Sequence, residues 1–166
     1  MVMNALLKSP APDARLKTSH EGRRKILLVD DDPAVRQMLG LLLTGEGYTV
    51  LLAVNGNEAI EVVRAAEVDL VLLDLNMPGM DGWMTFEQLV SENPLLPIVV
   101  ITARPNQHFT ALSAGIGALL EKPLDLPKLF LTIRDLLGEP DEIRLARVAG
   151  RPSEFHYVPS RATGRG

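Results

Sequence analysis

The stretch LVLLDLNMPGMDG, Leu70 to Gly82, decides the fold of this chain. An apolar run without alternation, closed by an acid, is the pattern of a strand buried on both faces, as in parallel sheets. Pro78-Gly79 and Asp81-Gly82 then punctuate a loop. A carboxylate at the carboxyl end of a central parallel strand lies where open α/β sheets place their chemistry. Asp74 is therefore the first candidate functional residue, and the roles of ligand, base, nucleophile and cap are all open to it.

Upstream of this stretch, KILLVD (25–30) reads as a short buried strand, and Pro33 at a first-turn position suits a helix start. Val35, Met38, Leu39, Leu42 and Leu43 recur at three and four, which predicts a helix over 33–44. A strand over 48–53, a helix over 57–66 and the strand over 69–74 follow. Downstream, the pattern predicts a helix over 83–92, a strand over 97–102, a shorter helix over 109–114, a strand over 118–121 and a helix over 126–137. Alternating strands and helices with short connections predict a doubly wound α/β sandwich on a parallel sheet. Size and spacing favour the flavodoxin-like (βα)5 arrangement, five strands in the order 2-1-3-4-5.

Three segments follow from this reading. Residues 1–24, with Pro10 and Pro12 and no sustained periodicity, read as a flexible extension. Residues 25–138 form the domain. Residues 139–166 read as a tail with a turn or two of helix and then a flexible end.

Composition narrows the function classes. The chain has 166 residues, 46% hydrophobic and 23% charged, the profile of a globular domain. Cysteine is absent, so disulfides and thiolate metal sites are excluded. No apolar segment reaches the ~18–20 residues of a membrane span. The N-terminus has its basic residues after its apolar patch, the wrong order for a secretory signal, so a cytoplasmic location is expected. Residues 25–138 hold seven basic against fifteen acidic side chains, a net charge of −8. Phosphate contacts need a basic face, so no nucleic-acid partner is expected through this domain. A divalent cation suits it better.

The predicted strand ends converge on one sheet edge. The first ends in Asp30-Asp31-Asp32, the third in Asp74, the fourth in Thr102-Ala103 and the fifth in Lys122-Pro123. Clustered carboxylates cannot all ionise at neutral pH without a compensating cation. Oxygen-only ligands favour a hard ion, Mg²⁺ before Zn²⁺. A lysine supplies further positive charge, and a hydroxyl can bond an anionic group held between them. Phosphoryl transfer to a carboxylate needs this set, because its catalysis is mainly positioning and charge neutralisation.

VDDDP, LVLLDLNMPGMDG, VITA and EKP, in this order and spacing, resemble the receiver domain of two-component response regulators. The resemblance covers about residues 25–138. It implies that Asp74 accepts a phosphoryl group from a histidine kinase or a histidine phosphotransfer protein. It also implies that Asp31 binds Mg²⁺ directly, Asp30 binds it through water, and Asn76 adds its backbone carbonyl, with Asp74 completing the metal set. Thr102 would bond the phosphoryl group and move with it, and Lys122 would pair with it. The Lys122-Pro123 bond is often cis in the family.

Two departures stand out. The segment from Thr102 to Lys122 is about two residues shorter than in common members. Leu119 stands where the family usually carries Tyr or Phe, the ring that swings inward as the threonine moves. Leucine can repack but offers neither ring nor hydroxyl.

Taken singly, each of these residues has an ordinary structural role. Asp32 before Pro33 reads as a helix N-cap, Asp81-Gly82 as turn chemistry, and Thr102 as a β-branched strand residue. His20, His108 and His156 show no ligand spacing, and Trp83 reads as packing at a helix start. Tail arginines interleaved with Glu142 and Glu154 suit a solvated or partner-docking face. The joint pattern carries the expectation of a stand-alone receiver, not an enzyme beyond its own phosphorylation and dephosphorylation. It would signal to an unknown protein target through its fourth helix, fifth strand and fifth helix, with a homodimer open and no membrane partner. Two rivals are a phosphorylation-independent docking module and a phosphatase of the haloacid-dehalogenase kind. The second wants an acid two residues after the nucleophile, where this chain has Asn76.

Overall fold

A computed structural model of the chain describes residues 22–78, 82–104, 106–151 and 154–160. The expected extension over 1–24 lies almost wholly outside them, as do His20, Asp81 and residues 161–166. The order is β1 (Lys25–Val29), α1 (Pro33–Gly45), β2 (Thr49–Ala53), α2 (Gly56–Ala65), β3 (Leu70–Asp74), α3 (Gly82–Glu92), β4 (Ile98–Thr102), α4 (His108–Ala114), β5 (Ala118–Glu121), α5 (Leu126–Gly138), α6 (Asp141–Val148) and β6 (His156–Val158).

All strands pair in parallel, in the order β2-β1-β3-β4-β5-β6. The expected α/β doubly wound sandwich is therefore present, but among the described residues the sheet has six strands rather than five. The correction comes from the tail: residues 156–158, expected to be flexible, pair with 118–120 as a new edge strand. Three residues with no flanking periodicity leave no strand signature in sequence.

Side chains of the central strands alternate between two cores, as the period of two requires. Ile26, Leu28, Leu70, Leu72, Val99, Ile101 and Leu120 face α1 and α5, meeting Leu39, Leu43, Leu129, Ile133 and Leu136. Leu27, Val29, Val71, Leu73, Val100 and Leu119 face the other layer, with Ala59, Ile60, Phe86, Leu89 and Ala111. Burying each large aliphatic side chain contributes about 1.5–3 kcal/mol. β3 and β4 are buried along their whole length. They form the rigid centre from which Asp74 and Thr102 project.

Helix starts follow local chemistry. Asp32 caps α1 by accepting from the Ala34 and Val35 amides, and Pro33 follows it. Asn55 caps α2 and Asp125 caps α5 in the same manner. Gly82 is required where α3 begins, because a Cβ there would lie 2.7 Å from Leu75 Cα. Among the described residues, no helix is long and apolar enough to cross a membrane.

Candidate functional site

β1 lies between β2 and β3, so the chain reverses its winding direction beside the carboxyl ends of β1 and β3. Open α/β sheets leave a crevice at such a point. Asp30 follows β1, Asp74 ends β3, and both are buried, 3% exposed each. Asp31 is exposed beside them. Carboxylate oxygens of Asp30, Asp31 and Asp74 all lie within 4.8 Å of one another.

Lys122 closes the cluster from β5. Its Nζ donates to Asp74 Oδ2 at 3.2 Å and lies 3.7 Å from Asp30 Oδ2. The peptide bond from Lys122 to Pro123 is cis. The lysine backbone is fixed as well, its N–H donating to the Thr102 carbonyl at 2.8 Å. Thr102 is fully buried. Its hydroxyl accepts from the Arg104 amide at 2.9 Å and donates to Asn76 Oδ1 at 3.4 Å. The Asn76 amide in turn donates to Asp74 Oδ1 at 2.8 Å. A chain of contacts therefore runs from Thr102 through Asn76 to Asp74, and from Lys122 back to Thr102.

The charge balance of this cluster is uneven. Three carboxylates face one ammonium. Burial pushes the Asp30 carboxyl above the usual range, opposed by the Asp32 amide and Lys122 and reinforced by Asp74. A buried carboxylate whose charge is only partly compensated is a position that a cation relieves. The donors are oxygens alone, which suits a hard divalent ion.

All six residues expected at the site, Asp30, Asp31, Asp74, Asn76, Thr102 and Lys122, meet at this one edge. Arg36 was not anticipated. Its guanidinium donates to the Asp30 carbonyl at 2.6 Å, pinning the backbone of the acidic turn from α1. A basic residue one turn into the helix after an acidic run is the signal that could have found it. His156 lies partly buried on β6, away from any cluster of ligand type. Trp83 does more than pack edge-on against Phe86: its indole N–H donates to Gln107 Oε1 at 3.2 Å, tying the start of α3 to the start of α4. Leu119 is fully buried in the layer of Ala111 and Ile116.

Comparison with known proteins gives a consistent result. The profile of the response regulator receiver domain matches residues 26–134. The transcriptional regulatory protein GlrR of Escherichia coli is 40% identical over 116 residues, which is 69% of this chain and 26% of that protein. The response regulator MprA of Mycolicibacterium vanbaalenii is 42% identical over 122 residues, 71% of this chain and 53% of the relative. The chain thus spans between about a quarter and a half of these relatives. Among solved structures, a CheY-like receiver domain protein from Methanospirillum hungatei superposes with a TM-score of 0.67 at 28% identity, covering 73% of this chain and 98% of that one. The response regulator TrrA of Thermotoga maritima, solved in complex with Mg²⁺ and BeF, gives a TM-score of 0.64 at 29% identity, covering 68% and 98%.

Proposed function

The chain belongs to the response regulator receiver domain family of two-component systems, and from that premise we propose that Asp74 is its phosphoacceptor. The observation that carries this reading is the convergence of Asp30, Asp31, Asp74 and Lys122 on one sheet edge. Asp74 Oδ would attack the phosphorus of a phosphohistidine, forming an O–P bond as the N–P bond breaks and the imidazole leaves. The donor would be a histidine kinase or a histidine phosphotransfer protein.

Asp30, Asp31, Asp74 and the Asn76 carbonyl are the residues that would hold Mg²⁺. Bound there, the ion neutralises charge on the transferring group. Lys122 supplies positive charge from the opposite side. Thr102, freed from Asn76, would donate its hydroxyl to the phosphoryl oxygen. Turnover beyond self-phosphorylation and hydrolysis is not part of this proposal.

The output is proposed to be protein–protein binding through α4, β5 and α5, either to a target or to a second copy. A cytoplasmic location belongs to the same proposal. The curated relatives are regulators, so a target linked to transcription is a natural partner class. A second reading, docking without phosphorylation, is favoured by Leu119, whose aliphatic side chain is already fully buried. Heteronuclear NMR with and without Mg²⁺ and beryllofluoride separates the two. The first reading expects shifts at Asp74, Thr102 and Lys122 that spread to α4. Absence of any response to beryllofluoride would leave the docking reading.

A further inference from the structure

The tail is attached to the domain by two anchors of different kinds. α6 packs against the segments that lead into β4 and β5, Arg144 donating to the Leu95 carbonyl at 3.4 Å and Arg147 lying against Gly115 and Gly117. Arg147 is only 7% exposed. Its guanidinium pairs with Glu139 and donates to the Glu154 carbonyl at 3.2 Å. Arg144 donates to the Leu136 carbonyl at 2.8 Å. The domain is shaped to receive α6. At Gly115, φ is +74°, and a Cβ would lie 2.7 Å from the Arg147 carbonyl oxygen. At Gly117 a Cβ would meet Leu136 Cδ2 at 2.9 Å and the Arg147 guanidinium at 3.2 Å. Breaking this anchor would leave the Glu139 and Arg147 charges buried without their partner, which is costly.

From there β6 runs up the edge of β5, pairing over only three residues. The His156 amide donates to the Gly117 carbonyl at 3.1 Å. Its upper end meets Glu121, whose carboxylate accepts from the Tyr157 hydroxyl at 2.8 Å and from the Ser160 amide at 3.1 Å. Tyr157 is 39% exposed. A short, solvent-facing ladder belongs to the least stable part of a fold. Glu121 also adjoins Lys122 and pairs in register with Thr102. The upper anchor is therefore one peptide bond from the lysine of the carboxylate cluster.

We propose that α6 and β6 form an autoinhibitory strap. In the resting molecule β6 covers the β5 edge while Lys122 pairs with Asp74 Oδ2, and the strap opens at Glu121 when Lys122 leaves that oxygen for a charged group carried on Asp74. The α6 anchor keeps the released strand tethered. β5 then presents the edge that β6 had occupied, and its occupant is an extended peptide segment of a target protein, added as a parallel strand as 156–158 is here. The trigger rests on the reading of Asp74 given above.

Hydrogen exchange of the full chain tests both halves. On adding Mg²⁺ and beryllofluoride, amides of 156–158 are expected to exchange at least tenfold faster while those of 141–148 are unchanged. Response at the ends of β3 and β4 with no gain in exchange at 156–158 overturns the strap and leaves the Asp74 reading intact. If the β3 and β4 ends do not respond either, the Asp74 reading falls and the trigger with it. The resting cover is decided separately by a Tyr157→Phe, Ser160→Pro double variant without added ions. Faster exchange at Leu119–Glu121 supports the cover, and unchanged exchange there overturns it.

Discussion

Lys122 donates from Nζ to Asp74 Oδ2 at 3.2 Å, and this ion pair joins the third and fifth strands across the mouth of the sheet. Asp74 is nearly enclosed and Lys122 about a quarter exposed, so the pair is only partly screened. Replacing the lysine leaves two buried carboxylates without a cation. Lys122→Ala is expected to lower stability in EDTA by about 1–3 kcal/mol, measured by urea unfolding. The same change is expected to tighten Mg²⁺ binding by roughly threefold to tenfold, since one competing positive charge is gone. Weaker Mg²⁺ binding in calorimetry would contradict the proposed site.

Asp30 gives a pH dependence with a definite sign. Burial raises its folded-state pKa above the ordinary value of 3.8. The folded chain then holds this proton more tightly than the unfolded chain. Its contribution to stability without metal is therefore lost as pH rises from the ordinary carboxylate range through the raised value. Asp30→Asn is expected to flatten that slope and to stabilise the metal-free protein, while weakening Mg²⁺ binding. Urea midpoints at a series of acidic pH values, in EDTA, would show it. A steeper slope in the variant would refute the assignment.

Trp83 provides an internal reporter, being the only tryptophan in the chain. Its hydrogen bond to Gln107 spans from α3 to the residue that precedes α4, at the far end of the loop that begins after Thr102. Thr102 is tied to the start of that loop, its hydroxyl accepting from the Arg104 amide at 2.9 Å, so its movement toward a phosphoryl group breaks or drags that contact. Emission is expected to change on adding beryllofluoride with Mg²⁺, and Gln107→Ala should reduce the change by at least half. An identical response in the variant would remove Gln107 from the path.

Gly115 tests how α6 is seated. Gly115→Ala places a methyl group against the Arg147 carbonyl at a backbone angle that favours glycine. A cost of about 1–3 kcal/mol is expected from crowding and strain together. Thermal unfolding measures it, and exchange at 141–148 should rise in parallel. A neutral substitution would mean that α6 does not press on this turn.

The elements that could be read in the sequence are those with a repeating physical demand. β1, β3 and β4 are covered on both faces and so carry unbroken apolar runs, and Pro33 after Asp32 marks the start of α1. The site was readable for a related reason, because polar residues that interrupt such runs at their ends stand out. The sixth strand could not be read, since His156, Tyr157 and Val158 are held by an existing edge rather than by their own pattern. Arg36 escaped because its contact is to a backbone carbonyl, which leaves no partner residue in the sequence. Leu119 departs from the family pattern in sequence, and its complete burial gives it a place in the packing.

The central claim concerns Asp74, and labelling of the full chain with a small phosphodonor such as acetyl phosphate tests it most directly. Mass spectrometry of the intact protein and its peptides should find one phosphoryl group, on Asp74, formed only with Mg²⁺ present and absent from Asp74→Asn. Labelling of Asp74→Asn to the same extent, or labelling unaffected by EDTA, would contradict the account.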